Sequence, residues 1–379
     1  MSTPTILRNA SLQDLAQILQ VQHDSRFDVV APASNLRFEG GNLMVAGADA
    51  EITMEGVTAV ETCLTPTAVC DEGLADRLGV PIGYVRRMRE TGEADLLDHN
   101  LNTWLRRSNA SYLVRGFKAD EADDCGIARA FLSDRYNVID NLDVLMAALA
   151  GIREVGGDAR VTGCDLSERR MTVRIEAPSI QALAPALLRN YRSPFTGKLG
   201  ADNPVVFAGF VLSNSETGGG AFSLTPRLVV QVCNNGMTIK KDALRQVHLG
   251  SRMDEGLIRW SDETRKANVD LVTKQAADAV RTFLNVDYVK AKLDEIAAEA
   301  GVEIPGKFTE VVERVGKSLA FTKDEREGIL EHFLMGGDRT AGGIMAAVTS
   351  FAQTVSDPDR ANEVEEKGLE AMSLAAAAA

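Results

Sequence analysis

The chain has 379 residues, 45% apolar and 25% charged, an ordinary globular composition with room for two or three domains. No apolar run approaches the roughly 18 residues that span a bilayer. Met1-Ser-Thr-Pro-Thr-Ile has neither the basic nor the apolar stretch of a secretory signal, so a cytoplasmic protein without membrane partners is expected. The net charge of −13 divides into −10 over residues 1–159, +5 over 160–275 and −8 over 276–379. A basic middle between acidic flanks is either a face for a polyanion or a block onto which the flanks pack.

Ser11 is placed to cap a first helix over 11–23, with Asp14 three residues on and Leu12, Leu15 and Leu19 as its apolar stripe. Leu36-Arg-Phe, a Glu39-Gly-Gly-Asn turn and Leu43-Met-Val predict a hairpin, and residues 51–63 a further strand pair or bend. Thr65 and Pro66 signal the start of two helices over 66–90, with Gly79 closing the first and Pro81 opening the second. This helix-turn-helix pattern puts Arg86, Arg87 and Arg89 on its second helix as candidates for reading duplex DNA. A helical hairpin that merely packs demands the same apolar-Gly corner. Residues 95–107 are helical again, with Leu96, Leu97, Leu101, Trp104 and Leu105 on the apolar side.

A strand is expected over 126–133 and a helix over 141–155. In the connection between them Arg135 and Tyr136 suit a phosphate and a base, or Arg135 an ion pair that fixes the loop. Val161–Cys164, an Asp165-Leu-Ser-Glu168 turn and Met171–Ala177 predict a hairpin. Its second strand alternates Met171, Val173 and Ile175 on a core face with Arg170, Thr172, Arg174 and Glu176 on a charged one. Two longer strands, 205–212 and 221–232, flank Ser213-Asn-Ser-Glu-Thr-Gly-Gly-Gly220. The glycines predict a flexible tip, in which Ser215, Gly218, Gly219 and Gly220 are candidates to touch nucleic-acid backbone or a neighbouring subunit. A P-loop would need Lys-Ser/Thr opening a helix, and here a strand follows.

Cys233-Asn-Asn-Gly-Met237 is a turn signal. Arg227 before it, and Lys240, Lys241, Arg245 and Arg252 after it, are candidates with Arg170 and Arg174 to line a groove for a polyanion. Helices are expected over 262–284, 286–300, 308–319, 322–335 and 340–355. The Ala-rich last 20 residues are expected to fray.

Cys63, Cys70, Cys125, Cys164 and Cys233 are odd in number, widely spaced and without a Cys-x-x-Cys. His23, His99, His248 and His332 are scattered, so neither a disulfide framework nor a metal site is expected, and no cofactor. A Cys233–His248 pair and a Ser215, Glu216 and His248 cluster are the catalytic arrangements on offer, and the expectation is a non-enzyme.

The fold class expected is α+β, with a mixed antiparallel sheet core in strand-strand-strand-helix order. The segments are an N-terminal α/β region with the helical hairpin over 1–125, a β-rich basic core over 126–285, a helical region over 286–357 and a flexible tail over 358–379.

Several stretches, in order along most of the chain, resemble the phage- and plasmid-borne family of the domain of unknown function DUF932. They are Leu74-Ala-Asp-Arg-Leu-Gly-Val-Pro-Ile-Gly-Tyr84, Asn100-Leu-Asn-Thr-Trp-Leu105, Leu132-Ser-Asp-Arg-Tyr136 with Asp140-Asn-Leu142, and Asp165 to Met171. Leu212-Ser-Asn-Ser-Glu-Thr-Gly-Gly-Gly-Ala-Phe-Ser223 and Val232-Cys-Asn-Asn-Gly-Met237 complete the set. Where such proteins carry an aromatic-rich segment ending in Asp-His, this chain reads Gly343-Ile-Met-Ala-Ala-Val-Thr-Ser-Phe-Ala352, of which only Ala-Val-Thr is similar. The resemblance implies a mobile-element context and a non-enzyme with a mixed core. The element order over 170–284 is also similar to the core of single-strand annealing proteins of the RecT and Red-beta kind. Together these imply a single-stranded-DNA-binding or annealing protein acting in recombination or replication as a homo-oligomer. The alternatives are a helix-turn-helix regulator of duplex DNA and a non-catalytic structural or host-interaction protein.

Overall fold

The computed structural model describes residues 6–53, 56–119, 124–136, 138–155, 158–232, 235–246, 262–304, 306 and 308–379. Strand β1, Leu7–Ala10, leads into α1, Leu12–Asp24, which Ser11 and Asp14 start with the reciprocal capping box expected of them.

The next strands form the first sheet: β2 Arg26–Pro32, β3 Leu36–Glu39, β4 Asn42–Thr53, β5 Gly56–Pro66, β6 Ser111–Phe117 and β7 Gly126–Ser133. Their order is β2-β6-β7-β5-β4-β3, antiparallel except where β5 runs beside β7. Between β5 and β6 come α2 Ala68–Leu78, α3 Ile82–Glu90 and α4 Ala94–Arg107. Gly79, at φ 67, ends α2 in the left-handed cap that glycine adopts freely, and Pro81 starts α3. Leu74, Val85, Leu97, Leu101 and Leu105 of these helices bury against Leu43, Leu64, Val114 and Phe131 of the sheet. The hairpin therefore lies on the sheet through its apolar face, and Arg86 and Arg87 remain exposed.

Helix α5, Asn141–Val155, leads to the second sheet: β8 Arg160–Leu166, β9 Met171–Leu183, β10 Val205–Asn214, β11 Phe222–Val230, β12 Asn235–Thr238 and β13 Leu244–Gln246. The order is β1-β8-β9-β10-β11-β12, with β13 also on β11, and the short helix α6, Pro185–Leu188, follows β9. Among the described residues seven helices follow: α7 Asp262–Phe283, α8 Val286–Ala300, α9 Phe308–Ser318, α10 Lys323–Gly336, α11 Ala341–Ala352, α12 Pro358–Glu366 and α13 Gly368–Ala376. Met171, Val173, Ile175, Phe210 and Leu212 share a core with α1, α5 and α7. Further along the same strands Val206, Ala208, Leu228 and Val230 join a core built with the C-terminal helices.

Four expectations change. The segment boundary at 125 does not hold, because β7 belongs to the first sheet while β1 pairs with β8 of the second. The charged face of β9 does not line an open groove: Thr172, Arg174 and Glu176 are buried, Arg174 donating to Asn362 of α12 and Glu176 accepting from Arg227 of β11. The tail is not frayed; α12 and α13 bury Val364, Ala371, Met372 and Ala375. Cys63 and Cys125 are joined in a disulfide, Cα to Cα 4.7 Å, which no spacing rule suggested.

Candidate functional site

The glycine loop between β10 and β11 is a plug and not a flexible tip. Glu216 is buried, its Oε2 accepting from Arg129 Nη1 at 2.8 Å and its Oε1 from the Asn141 backbone N–H at 2.6 Å. Arg115 donates to the Glu216 carbonyl at 3.2 Å and also grips Asp28 and Asp140. Burial opposes the charge on Glu216, but Arg129 and Arg115 outweigh it and hold the carboxyl below its ordinary range. The Ser215 hydroxyl accepts from the Gly219 N–H, and the Ser215 carbonyl accepts from the Tyr136 hydroxyl at 3.1 Å. Burial pushes the Tyr136 phenol up to about 12. Gly218 takes φ +88, where an L side chain is strained, and it and Gly219 reach the surface. The cleft beside Glu216 leaves about 20 Å³ free, the space of one water.

On the outer side of this plug the turn between β8 and β9 gathers several of the sequence candidates. Arg170 donates to the Gly219 carbonyl at 3.4 Å, and Thr217 donates to the Glu168 carbonyl. Next to it, Arg169 Nη2 lies 2.6 Å from Glu72 Oε1 of α2. Arg86 Nη2 from α3 reaches the same oxygen at 2.6 Å. Arg169 first, then Arg86, hold the Glu72 carboxylate below its ordinary range. Both guanidinium side chains stay half exposed, at 53% for Arg86 and 44% for Arg169. Arg135, exposed, is the neighbour of the tyrosine that holds the loop. Two arginines therefore share one carboxylate, with Arg170 next to Arg169 in the chain. Glu168 and Asp359 also act on Arg169, so the acids nearby offset much of the charge, while both guanidinium groups keep N–H donors facing solvent in the fork geometry that binds phosphate or carboxylate.

Other candidates are placed elsewhere. Arg174 is buried, bonded to Asp165 at 2.7 Å, Asn9 at 2.6 Å and Asn362 of α12 at 3.1 Å. Arg227 is buried between Glu365 of α12 at 2.8 Å and Glu176 at 3.5 Å. Neither faces a groove; desolvating a guanidinium requires this enclosure by carboxylates. Lys240 pairs with Glu366 at 2.8 Å and Lys241 with Glu295 at 2.6 Å, on the exposed rim of the same acidic cover. Arg245 is exposed at the β13 edge. Arg89 is committed to Asp71 through two bonds and to the Gly41 carbonyl, which removes it from a duplex-reading set. Arg87 is exposed on α3. Arg252, Cys233 and His248 lie outside the described residues, while Ser215 and Glu216 both serve the plug. Among the described residues no group of three His, Cys, Asp or Glu could hold a metal ion. No described helix is long and apolar enough to cross a membrane.

Arg169, Glu72, Arg115 and Arg129 were not singled out from the sequence. Arg115 and Arg129 carried a signal, a charge in the middle of otherwise apolar strands, which in a buried sheet requires a partner. The Arg169-Arg170 doublet carried one too, but its closeness to α2 is a tertiary fact.

Two sheets with a helical cover define an α+β protein, and among the described residues Arg86 and Arg169 meet at the single carboxylate of Glu72. Comparison with known proteins found no matching family model, no matching curated protein and no matching solved structure.

Proposed function

We propose that this chain is a nucleic-acid-binding protein of a phage or plasmid, of the DUF932 kind, which holds single-stranded DNA for annealing in recombination or replication. Its binding surface is the junction of Arg86, Arg169, Arg170 and Arg135. The observation that carries this reading is the convergence of Arg86 and Arg169 on the single carboxylate of Glu72. A phosphate that replaces or joins Glu72 finds two preorganised guanidinium forks. The exposed backbone at Gly218 and Gly219 lets a strand approach closely. Such a surface reads backbone, so it is indifferent to sequence. The protein acts in the host-cell cytoplasm as a homo-oligomer, so that several junctions track one strand.

The test is fluorescence anisotropy of a labelled oligonucleotide at low ionic strength, with the Arg86→Glu, Arg169→Glu double variant beside the natural chain. Binding that weakens at least tenfold in the variant supports the reading; equal affinity, or no binding by the natural chain, overturns it. A duplex regulator would instead bind one operator, lose it on Arg87→Ala and ignore single strands.

A second reading has an observation of its own. Arg174, Arg227, Lys240 and Lys241 are each matched by an acid or amide of the C-terminal helices. Much of the basic middle is thus neutralised within the chain, which favours a non-catalytic structural or host-interaction protein if no nucleic acid binds.

A further inference from the structure

Helix α4 ends in a surface that neither the fold nor the junction explains. Its inner face is fixed: Leu97, Leu101 and Leu105 are buried, and Asn102 makes two bonds to the Phe38 backbone, accepting at 2.7 Å and donating at 2.9 Å. On the outer face Trp104 stands 43% exposed, and Leu96 48%. Arg107 lays its guanidinium 5.2 Å over the Trp104 ring. Arg106 is exposed and donates to the Thr103 hydroxyl at 3.1 Å. Asn100, one turn before Trp104, donates to the Tyr84 hydroxyl of α3 at 2.7 Å, so the helix is also tied on this side.

The stretch of chain that carries the ring is free of acids, although β3, which packs on α4, holds Glu39 beside Arg37. Between Asp98 and Asp120 the chain has no carboxylate. The single turn Ala33–Asn35 that packs on α4, and the Ser108–Ala110 connection that follows it, are uncharged. An indole capped by a guanidinium matches an unpaired base beside its phosphate. The ring and the guanidinium offer flat faces for stacking, and the edge of Arg107 offers donors for the phosphate. A protein partner would be expected to want an apolar rim, and Arg107 supplies a cationic one.

We propose that Trp104, with Arg107, is a stacking platform for an unpaired base of single-stranded nucleic acid. The inference rests on the nucleic-acid reading above and adds where a base is held. Stacking on an aromatic face accepts every base, so the platform selects single strands over duplex without selecting sequence. Its rigidity comes from the Asn102 and Asn100 bonds, which hold α4 before any ligand arrives.

The chain has two tryptophans, so the full-length Trp260→Phe variant reports Trp104 alone. It is titrated at low ionic strength with unlabelled oligothymidylate, inorganic polyphosphate of similar charge and a blunt duplex. The expected result is that oligothymidylate quenches Trp104 emission, while polyphosphate and duplex do not. Trp104→Ala then weakens oligothymidylate binding roughly tenfold with an unchanged salt slope, and Trp104→Phe restores most of it. If oligothymidylate binds by anisotropy yet leaves Trp104 emission unmoved, the platform is wrong and the junction reading stands. If duplex quenches as strongly, base stacking is wrong. If no oligonucleotide binds, both readings fall together.

Discussion

Glu216 shows how much one residue carries here. Its carboxylate joins the β10–β11 loop of the second sheet to β7 of the first through Arg129, and its carbonyl adds Arg115 of β6. Removing one partner of a buried ion pair strands the other, so Glu216→Ala is expected to cost about 3–5 kcal/mol in urea unfolding at neutral pH. The pH dependence follows from the depressed carboxyl. Its contribution is complete above the ordinary glutamate value of 4.5 and is lost as pH falls through the lower folded value. The stability gap between natural chain and variant should therefore narrow below that pH, and a constant gap contradicts the network. Gly236 is the counterpart at β12: a Cβ there would sit 1.7 Å from Arg227 Nε. Gly236→Ala is expected to expel Arg227 from Glu365 and lower stability by more than about 1 kcal/mol, read in the same assay.

At the scale of elements, local signals located most of the structure. The Ser11–Asp14 box, the Gly79 corner with Pro81, and the strands around the glycine loop all stand where their residues place them. What was not legible is what covers what. The alternation of β9 is genuine, with Met171, Val173 and Ile175 on one face, yet its charged face is buried because α12, nearly 200 residues further on, brings Asn362 and Glu365 to it. Alternation distinguishes two faces and is silent about a polar face that finds polar cover. The Ala-rich tail misleads for a related reason: small residues suit both disorder and close helix packing. Here Ala371 and Ala375 lie fully buried. Truncation before Pro358 is thus expected to expose Arg174, Arg227 and the apolar core beneath α13, seen as a lower thermal midpoint or insoluble protein. A truncated chain that melts like the whole one would contradict this packing.

Over the whole molecule, two long-range devices hold the first sheet and join it to the second. One is the plug of Glu216 just described. The other, within the first sheet, is the Cys63–Cys125 disulfide, which closes a loop across 62 residues and spans the parallel β5–β7 pair. By loop-closure entropy it contributes on the order of 4 kcal/mol. Urea unfolding with and without a phosphine reductant should differ by about that amount, and Cys63→Ser should remove the difference. Of the candidate surface, the sequence made Arg86, Arg170 and the glycine loop visible separately. Their meeting at Glu72 and Gly219 depends on how the hairpin, the β8–β9 turn and the plug pack, which no local spacing encodes.

The arginine junction is tested most directly by the salt dependence of single-strand binding. Log affinity should fall linearly with log salt, at a slope of roughly −0.7 per phosphate held. The Arg86→Glu, Arg169→Glu variant should show a shallower slope by about two phosphates. A natural chain whose affinity ignores salt, or a variant with the same slope, would contradict the proposal.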